Sequence, residues 1–146
     1  MRHESDSTSI LLVEDSQIDI DLTLLAFSRI HFTKPVKVTR DGAETLDLIN
    51  QWKTGQDLPQ LILMDINIPK VSGLEVLRVL KSQKLTNHIP VVMLTSSTND
   101  AALRTAYSYG ANSYIIKPVD FDKFLQLSTI LCEYWLTLNV KPEDNR

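Results

Sequence analysis

The chain has 146 residues, of which 43% are hydrophobic and 23% charged, a composition typical of one globular domain. Its formal charge of -3 argues against nucleic-acid binding through a basic face, and no apolar run approaches the roughly 20 residues that span a bilayer. The start lacks the order of a signal peptide and the single Cys132 can form no internal disulfide, so we expect a cytoplasmic protein.

Strand-like and helical patterns alternate five times along the chain. The predicted strands are Ser9–Val13, Val36–Thr39, Leu61–Met64, Val91–Leu94 and Ser113–Ile116. The predicted helices are Gln17–His31, Ala43–Trp52, Gly73–Lys81, Asp100–Tyr109 and Phe121–Leu138. The first, third and fourth strands are apolar throughout, as strands covered on both faces are. These patterns predict an α/β fold, a flavodoxin-like doubly wound parallel sheet with strand order 2-1-3-4-5.

Four of these strands end in side chains that are capable of chemistry. Glu14-Asp15 follow the first strand, Asp65 the third, Thr95 closes the fourth and Lys117 follows the fifth. In the predicted order, the first and third strands are neighbours at the switch point, where ligands bind beyond the carboxyl ends. We therefore expect three acids, a hydroxyl and an amine to form one site.

The acids of this site predict a bound metal ion. Crowded carboxylates raise one another's pKa, and a hard cation relieves their repulsion. Mg²⁺, or Mn²⁺ in its place, prefers oxygen ligands and keeps several waters. We expect Asp15 and Asp65 to supply two ligands and the backbone carbonyl of Asn67 a third, with Glu14 acting through a coordinated water.

Together the metal, carboxylate, amine and hydroxyl indicate phosphoryl transfer. Asp65 would attack phosphorus, Lys117 would neutralise the phosphoryl oxygens and Thr95 would donate a hydrogen bond. Lys117 precedes Pro118, and proline is the residue before which a cis bond costs little, so the sequence leaves this isomer open.

Two rival chemistries fit the residues less well. An aspartate-nucleophile phosphatase needs a second acid two residues after the nucleophile, where this chain has Asn67. A flavodoxin-type electron carrier needs a loop rich in hydroxyls and glycine after the first strand, and the segment 15–19 is acidic instead. We therefore predict a protein that accepts a phosphoryl group rather than an enzyme that turns over outside phosphate esters.

Four segments resemble the receiver domain of two-component response regulators. They are Ile10–Ser16, Met64–Pro69 with Gly73, Val91–Ser96 and Ile116–Pro118, in the family's order and at its spacing. The resemblance implies that Asp65 accepts a phosphoryl group from a sensor histidine kinase, with Mg²⁺ held near Glu14 and Asp15. It also implies that Tyr114 is an aromatic switch, which turns inward when Thr95 moves towards the phosphate.

A narrower resemblance concerns the partner of the protein. The segment 67–70 after Asp65 and the final helix with Glu133-Tyr134-Trp135-Leu136 look like small regulators paired with bacterial phytochrome kinases, as in cyanobacteria. The resemblance to the receiver domain covers residues 9–138, and we expect 1–8 to be disordered and 139–146 to be a short polar tail. This implies a stand-alone regulator; the alternative is a receiver-like module that binds partners without phosphorylation.

The apolar surface of the final helix is wider than the single stripe that a helix needs to pack on one face of a sheet. This predicts a contact with a twin subunit or another partner, and a homodimer is the form we expect. The residues expected at that contact are Phe121, Phe124, Ile130, Tyr134 and Trp135. The alternative is that the chain's own tail or first helix covers them.

Overall fold

The structure, a computed structural model, describes residues 8–141. Its strands are β1 (Ile10–Val13), β2 (Val36–Thr39), β3 (Leu61–Met64), β4 (Val91–Thr95) and β5 (Ser113–Ile116). Its α-helices are α1 (Gln17–Arg29), α2 (Gly42–Gln51), α3 (Gly73–Ser82), α4 (Asp100–Ser108) and α5 (Phe121–Glu133). The strands form one parallel sheet in the order β2-β1-β3-β4-β5, which confirms the predicted fold class. The expected disorder of 1–8 falls almost wholly outside the described residues, and the predicted domain bounds stay predictions.

The sheet is buried on both faces, and alternate strand residues contribute to the two sides. Leu11 and Val13 pack with α2, α3 and α4, whereas Ile10 and Leu12 pack with α1 and α5. Every residue of β1, β3 and β4 is buried, as the unbroken apolar runs predict. Within residues 8–141, no helix is long and apolar enough to cross a membrane.

Polar caps begin all five α-helices close to the carboxyl edge of the sheet. In each case a side-chain oxygen accepts a hydrogen bond from a backbone N–H of the first turn. The capping residues are Ser16, Asp41, Ser72, Asn99 and Asp120. These caps fix where each strand-to-helix loop ends and therefore help to place the side chains at that edge.

Two helices end more than one residue from the predicted position. The first stops at Arg29 because His31 adopts a left-handed backbone conformation with a φ of 59°. The last one is α-helical only to Glu133 and continues as a π-helical turn, Tyr134–Leu138, in which Asn139 N donates to the Tyr134 carbonyl at 2.7 Å. Trp135 packs against the α1/α5 side of the core, on the helical face that Phe124, Ser128 and Leu131 share.

Gly73 lets the loop after β3 close tightly, and replacing it with alanine is expected to destabilise the protein by about 2 kcal/mol. A Cβ at this position would lie 2.2 Å from the carbonyl oxygen of Asp65, so the backbone would have to move. Urea unfolding of Gly73→Ala measures the effect. Gly55→Ala is the matched control because nothing lies within 4 Å of its added Cβ. Equal stabilities of the two variants would contradict a tight approach at Gly73.

Candidate functional site

The ammonium group of Lys117 is the centre of the cluster at the carboxyl edge of the sheet. Its Nζ lies 2.5 Å from Glu14 Oε1, 2.7 Å from Asp19 Oδ2 and 3.0 Å from Asp65 Oδ2. The side chains of Lys117, Glu14 and Asp65 are 8% exposed or less. A lysine has three N–H donors, so each one is engaged by a different carboxylate.

The Asp65 carboxylate is held from two sides at the end of β3. Its Oδ2 accepts from Lys117, while its Oδ1 accepts from the backbone N–H of Asn67 at 3.1 Å. The Asp65 backbone N–H continues the ladder to the Val13 carbonyl. The strand and its turn therefore fix the orientation of this carboxylate, as a nucleophile requires.

Charge in the cluster is unbalanced. Burial raises the pKa of Glu14, and the nearby charge of Asp65 raises it further, against the opposing effect of Lys117. For Lys117, burial alone would lower the pKa, but hydrogen bonds to Asp19 and Glu14 and the charge of Asp65 raise it above its usual 10.5. One ammonium among three carboxylates leaves the cluster net negative, an environment that favours cations.

The predicted metal ligands are only partly assembled. Asp15 is exposed. The three carboxylates that meet at Lys117 are those of Glu14, Asp19 and Asp65, and Asp15 is not among them. Among residues 8–141, no three His, Cys, Asp or Glu side chains are arranged so that they could hold a metal ion. The oxygen donors and the excess negative charge fit a hard cation chemically, but the described arrangement is not a preformed ligand cage. The ligand set of Glu14, Asp15, Asp65 and the Asn67 carbonyl stays a prediction.

Thr95 and Tyr114 are connected through one loop residue, Ser97. Thr95 is fully buried, and its Oγ1 accepts from the Ser97 N–H at 3.2 Å, which leaves its own O–H hydrogen for another acceptor. The half-buried Tyr114 donates its hydroxyl to the Ser97 carbonyl at 3.4 Å. The backbone N–H of Lys117 donates to the Thr95 carbonyl at 2.8 Å, so the pairing of β4 with β5 places Lys117 next to Thr95. The Lys117–Pro118 bond is trans, as are all the peptide bonds among residues 8–141.

Sequence reasoning missed two members of this network. Asp19 was not predicted as a site residue, although an acid in the first turn of the helix after β1 was visible; such acids are common because they favour the helix N-terminus. Ser97, which connects Thr95 to Tyr114, is the second residue that was not predicted. Its link between Thr95 and Tyr114 depends on backbone atoms of the loop, which leave no sequence pattern.

The predicted partner surface on the final helix needs one correction. Phe124 is 3% exposed and packs inside the chain, so it cannot contribute to a surface. Ile130 and Tyr134 are exposed by 62% and 48%, Phe121 is also exposed, and Trp135 is half-buried against the core. α1 packs against α5 from the inner side and leaves Ile130 and Tyr134 uncovered.

Comparison with known proteins identifies the family. The family model for the response regulator receiver domain matches residues 10–128. The chain belongs to this family. Among curated relatives of this receiver protein is the probable methanogenesis regulatory protein FilR2 of Methanothrix harundinacea, which is 42% identical over 138 residues. That alignment covers 94% of this chain and 89% of the relative.

Solved structures of similar receiver proteins include a phytochrome response regulator and a manganese-bound response regulator. The phosphorylated cyanobacterial phytochrome response regulator RcpA is 33% identical, with a TM-score of 0.85 over 93% of this chain and 99% of the other. The Mn²⁺-bound form of response regulator Rcp1 is 30% identical, with a TM-score of 0.83 over 92% of this chain and 99% of the other. The family match confirms the predicted family, and the similarity to RcpA confirms the resemblance to phytochrome response regulators.

Proposed function

We propose that this receiver domain accepts a phosphoryl group on Asp65 from a phosphohistidine of a sensor kinase. The observation that carries the proposal is the Asp65 carboxylate, fixed at the edge of the sheet with the Lys117 ammonium at 3.0 Å. An Asp65 oxygen forms a bond to phosphorus, and the phosphorus–nitrogen bond to the donor imidazole breaks. The bonding electrons remain on the imidazole nitrogen, which takes up a proton.

Each neighbouring side chain has a role in that step. Lys117 neutralises charge on the phosphoryl oxygens, and Thr95 donates its free O–H hydrogen to one of them. Glu14, Asp15, Asp65 and the carbonyl of Asn67 would hold Mg²⁺, or Mn²⁺. The cation would offset the negative charge that the carboxylates and the phosphoryl group bring together. The Mn²⁺-bound Rcp1 structure supports a divalent cation at such a site.

Phosphorylation is read out through the loop that contains Ser97. When Thr95 turns its hydroxyl to the phosphoryl group, the Ser97 N–H that binds Thr95 Oγ1 has to follow. Ser97 also accepts from the Tyr114 hydroxyl, so the movement is passed to the ring on β5. The proposed result is a change in the surface around Tyr114 and α5 that a partner recognises.

The kinase that we propose is of the phytochrome type. RcpA is described as a phytochrome response regulator, and its structure covers nearly the whole of this chain. Such a kinase takes its phosphoryl group from ATP, which places the proposed pair in the cytoplasm. The pairing is tested by phosphotransfer profiling: the protein should take label from an autophosphorylated phytochrome kinase faster than from kinases of other classes. Equal rates from all the kinases would contradict a phytochrome pairing.

Small-molecule labelling tests Asp65 without any kinase. With acetyl phosphate and Mg²⁺, we expect the wild type to gain the mass of one phosphoryl group and Asp65→Asn to gain none. Asp47→Asn, which changes an exposed acid on α2, should be labelled like the wild type. A chelator should abolish the labelling. Full labelling of Asp65→Asn would contradict the proposal.

We also propose that α5 contacts a second copy of the chain. Ile130 and Tyr134 form an exposed apolar strip that continues into Leu138, which is 66% exposed. Contiguous apolar surface of this kind is typical of a protein–protein contact. A two-fold contact buries the same residue from both copies. The interface residues in this proposal are Phe121, Ile130 and Tyr134, with Trp135 at its inner margin.

Removing one of these side chains is expected to weaken the dimer. Ile130→Ser removes apolar surface twice in each dimer, so the dissociation constant should rise at least about tenfold. Light scattering coupled to size exclusion over a dilution series measures the shift. The control is Ile18→Ser, which removes another exposed isoleucine, at the start of α1. A monomeric wild type, or a dimer weakened equally by both substitutions, would rule out this interface.

A further inference from the structure

Asp19 contacts Lys117, although Asp19 lies on the helix α1 and not at the end of a strand. It stands in the first turn of α1, where its backbone N–H donates to the Ser16 hydroxyl at 3.3 Å. Its Oδ2 lies 2.7 Å from the Lys117 Nζ, a shorter distance than the one to Asp65. Its side chain is 29% exposed and that of Lys117 is 8% exposed, so the pair is partly shielded from water.

The contact decides how the Lys117 ammonium is oriented. The lysine side chain has four rotatable bonds, and its ammonium can turn freely unless its donors are bound. Glu14 and Asp19 engage two of the three N–H groups, and the third is then directed at Asp65 Oδ2. Without Asp19, one donor has no carboxylate, and the ammonium can rotate or shift towards solvent.

We propose that Asp19 is a positioning residue, which holds Lys117 so that one N–H faces the oxygen of Asp65 to which the phosphoryl group is transferred. This inference rests on the proposed function of Asp65. When the Asp65 oxygen–phosphorus bond forms, that N–H passes to a phosphoryl oxygen, while Glu14 and Asp19 keep the other two. The first turn of α1 is thereby connected to the chemistry on β3.

A general electrostatic effect on α1 can be separated from positioning by Asp21. An acid near a helix N-terminus stabilises the helix wherever its side chain points. Asp21 lies on the same helix, is exposed, and accepts from Gln17 Nε2 rather than from Lys117. Asp21→Asn therefore removes a charge from α1 and leaves the contacts of Lys117 intact.

Nuclear magnetic resonance of the lysine ammonium groups tests the first half of this inference in the unphosphorylated full chain. The Lys117 signal is assigned by its absence from Lys117→Arg. In the wild type we expect slow hydrogen exchange at this ammonium, and in Asp19→Ala exchange about tenfold faster or more. Asp21→Asn should leave it unchanged, and Asp19→Glu should restore part of the protection. Asp19→Asn provides a second variant that keeps an acceptor oxygen if Asp19→Ala folds poorly.

The rate of phosphorylation by acetyl phosphate tests the second half. At saturating Mg²⁺ we expect Asp19→Ala to react about tenfold more slowly than the wild type, and Asp21→Asn at the wild-type rate. Unchanged ammonium exchange in Asp19→Ala would overturn the inference, and so would faster exchange with an unchanged rate. If the wild type takes up no phosphoryl group, the proposed function of Asp65 fails, whereas the exchange experiment still decides whether Asp19 holds Lys117.

Discussion

Lys117→Met is expected to lower the free energy of unfolding by about 3 kcal/mol at neutral pH. Methionine keeps most of the length of the side chain but removes the ammonium. The Glu14 and Asp65 carboxylates, which are at most 8% exposed, would then remain buried without a cation. The loss comes from these uncompensated charges, because the apolar stem of the residue is largely retained.

The effect should depend on pH in a defined direction. In the wild type, the raised pKa of Lys117 keeps the ammonium charged, so its contribution is fully present below 10.5 and is lost only as pH rises through its higher folded value. In the variant, burial still raises the pKa of Glu14 and Lys117 no longer opposes that effect, so Glu14 should bind a proton more readily than in the unfolded chain. Lowering the pH to about 5 should therefore restore part of the lost stability.

Urea unfolding at both pH values measures this difference. Lys123→Met, which changes an exposed lysine on α5, is the control and should change stability by less than about 0.5 kcal/mol. A Lys117→Met variant as stable as Lys123→Met would show that the buried carboxylates do not need the ammonium. A loss of equal size at both pH values would contradict the charge-based cause.

Asp65→Asn is expected to act in the opposite direction and to raise the free energy of unfolding by about 1 kcal/mol at neutral pH. Three carboxylates share one ammonium, and removing one of them relieves repulsion while the asparagine oxygen can still accept a hydrogen bond. The charge of Asp65 raises the pKa of Glu14, so this pKa should fall in the variant. A gain in stability on loss of the reactive carboxylate would mean that function retains this group at a cost in folding stability.

Chemical unfolding of Asp65→Asn beside Asp47→Asn gives the comparison. Asp47 is exposed on α2, so its substitution should change stability by less than about 0.5 kcal/mol. Carbon nuclear magnetic resonance of the Glu14 carboxyl during a pH titration reports its pKa in the wild type and the variant. A loss of stability in Asp65→Asn with a rise in the pKa of Glu14 would show that Asp65 attracts Lys117 more than it repels the other acids.

The sheet could be predicted from the sequence because its signal is repeated and local. Apolar runs mark β1, β3 and β4, and the chemistry-bearing residues follow directly after strands. The strand order therefore places Glu14 beside Asp65, and it places Lys117 at the same edge, two strands from Asp65, within reach of a long side chain. Contacts made by side chains on helices are harder to predict. Asp19 resembles any acid in a first helical turn, and only the direction of α1 relative to β5 brings it to Lys117.

The end of the final helix shows the same limit. Its apolar pattern was broad, and the pattern alone did not show which side of the helix is covered: Phe124 is buried, whereas Ile130 is exposed. The π-helical turn after Glu133 changes the angular spacing of the residues that follow, so a constant helical period misplaces them. Trp135 packs partly into the core on the face that it shares with Leu131, which makes Ile130 the better residue for testing the interface.

The most direct measurement is to locate the phosphoryl group chemically. Borohydride reduces an aspartyl phosphate to homoserine, which stays in the chain and can be found by tandem mass spectrometry. After reaction with acetyl phosphate and Mg²⁺, reduction is expected to give homoserine at position 65 and nowhere else. Homoserine at Asp15 or Asp19, or an unmodified Asp65 in protein that carries phosphate, would contradict Asp65 as the acceptor.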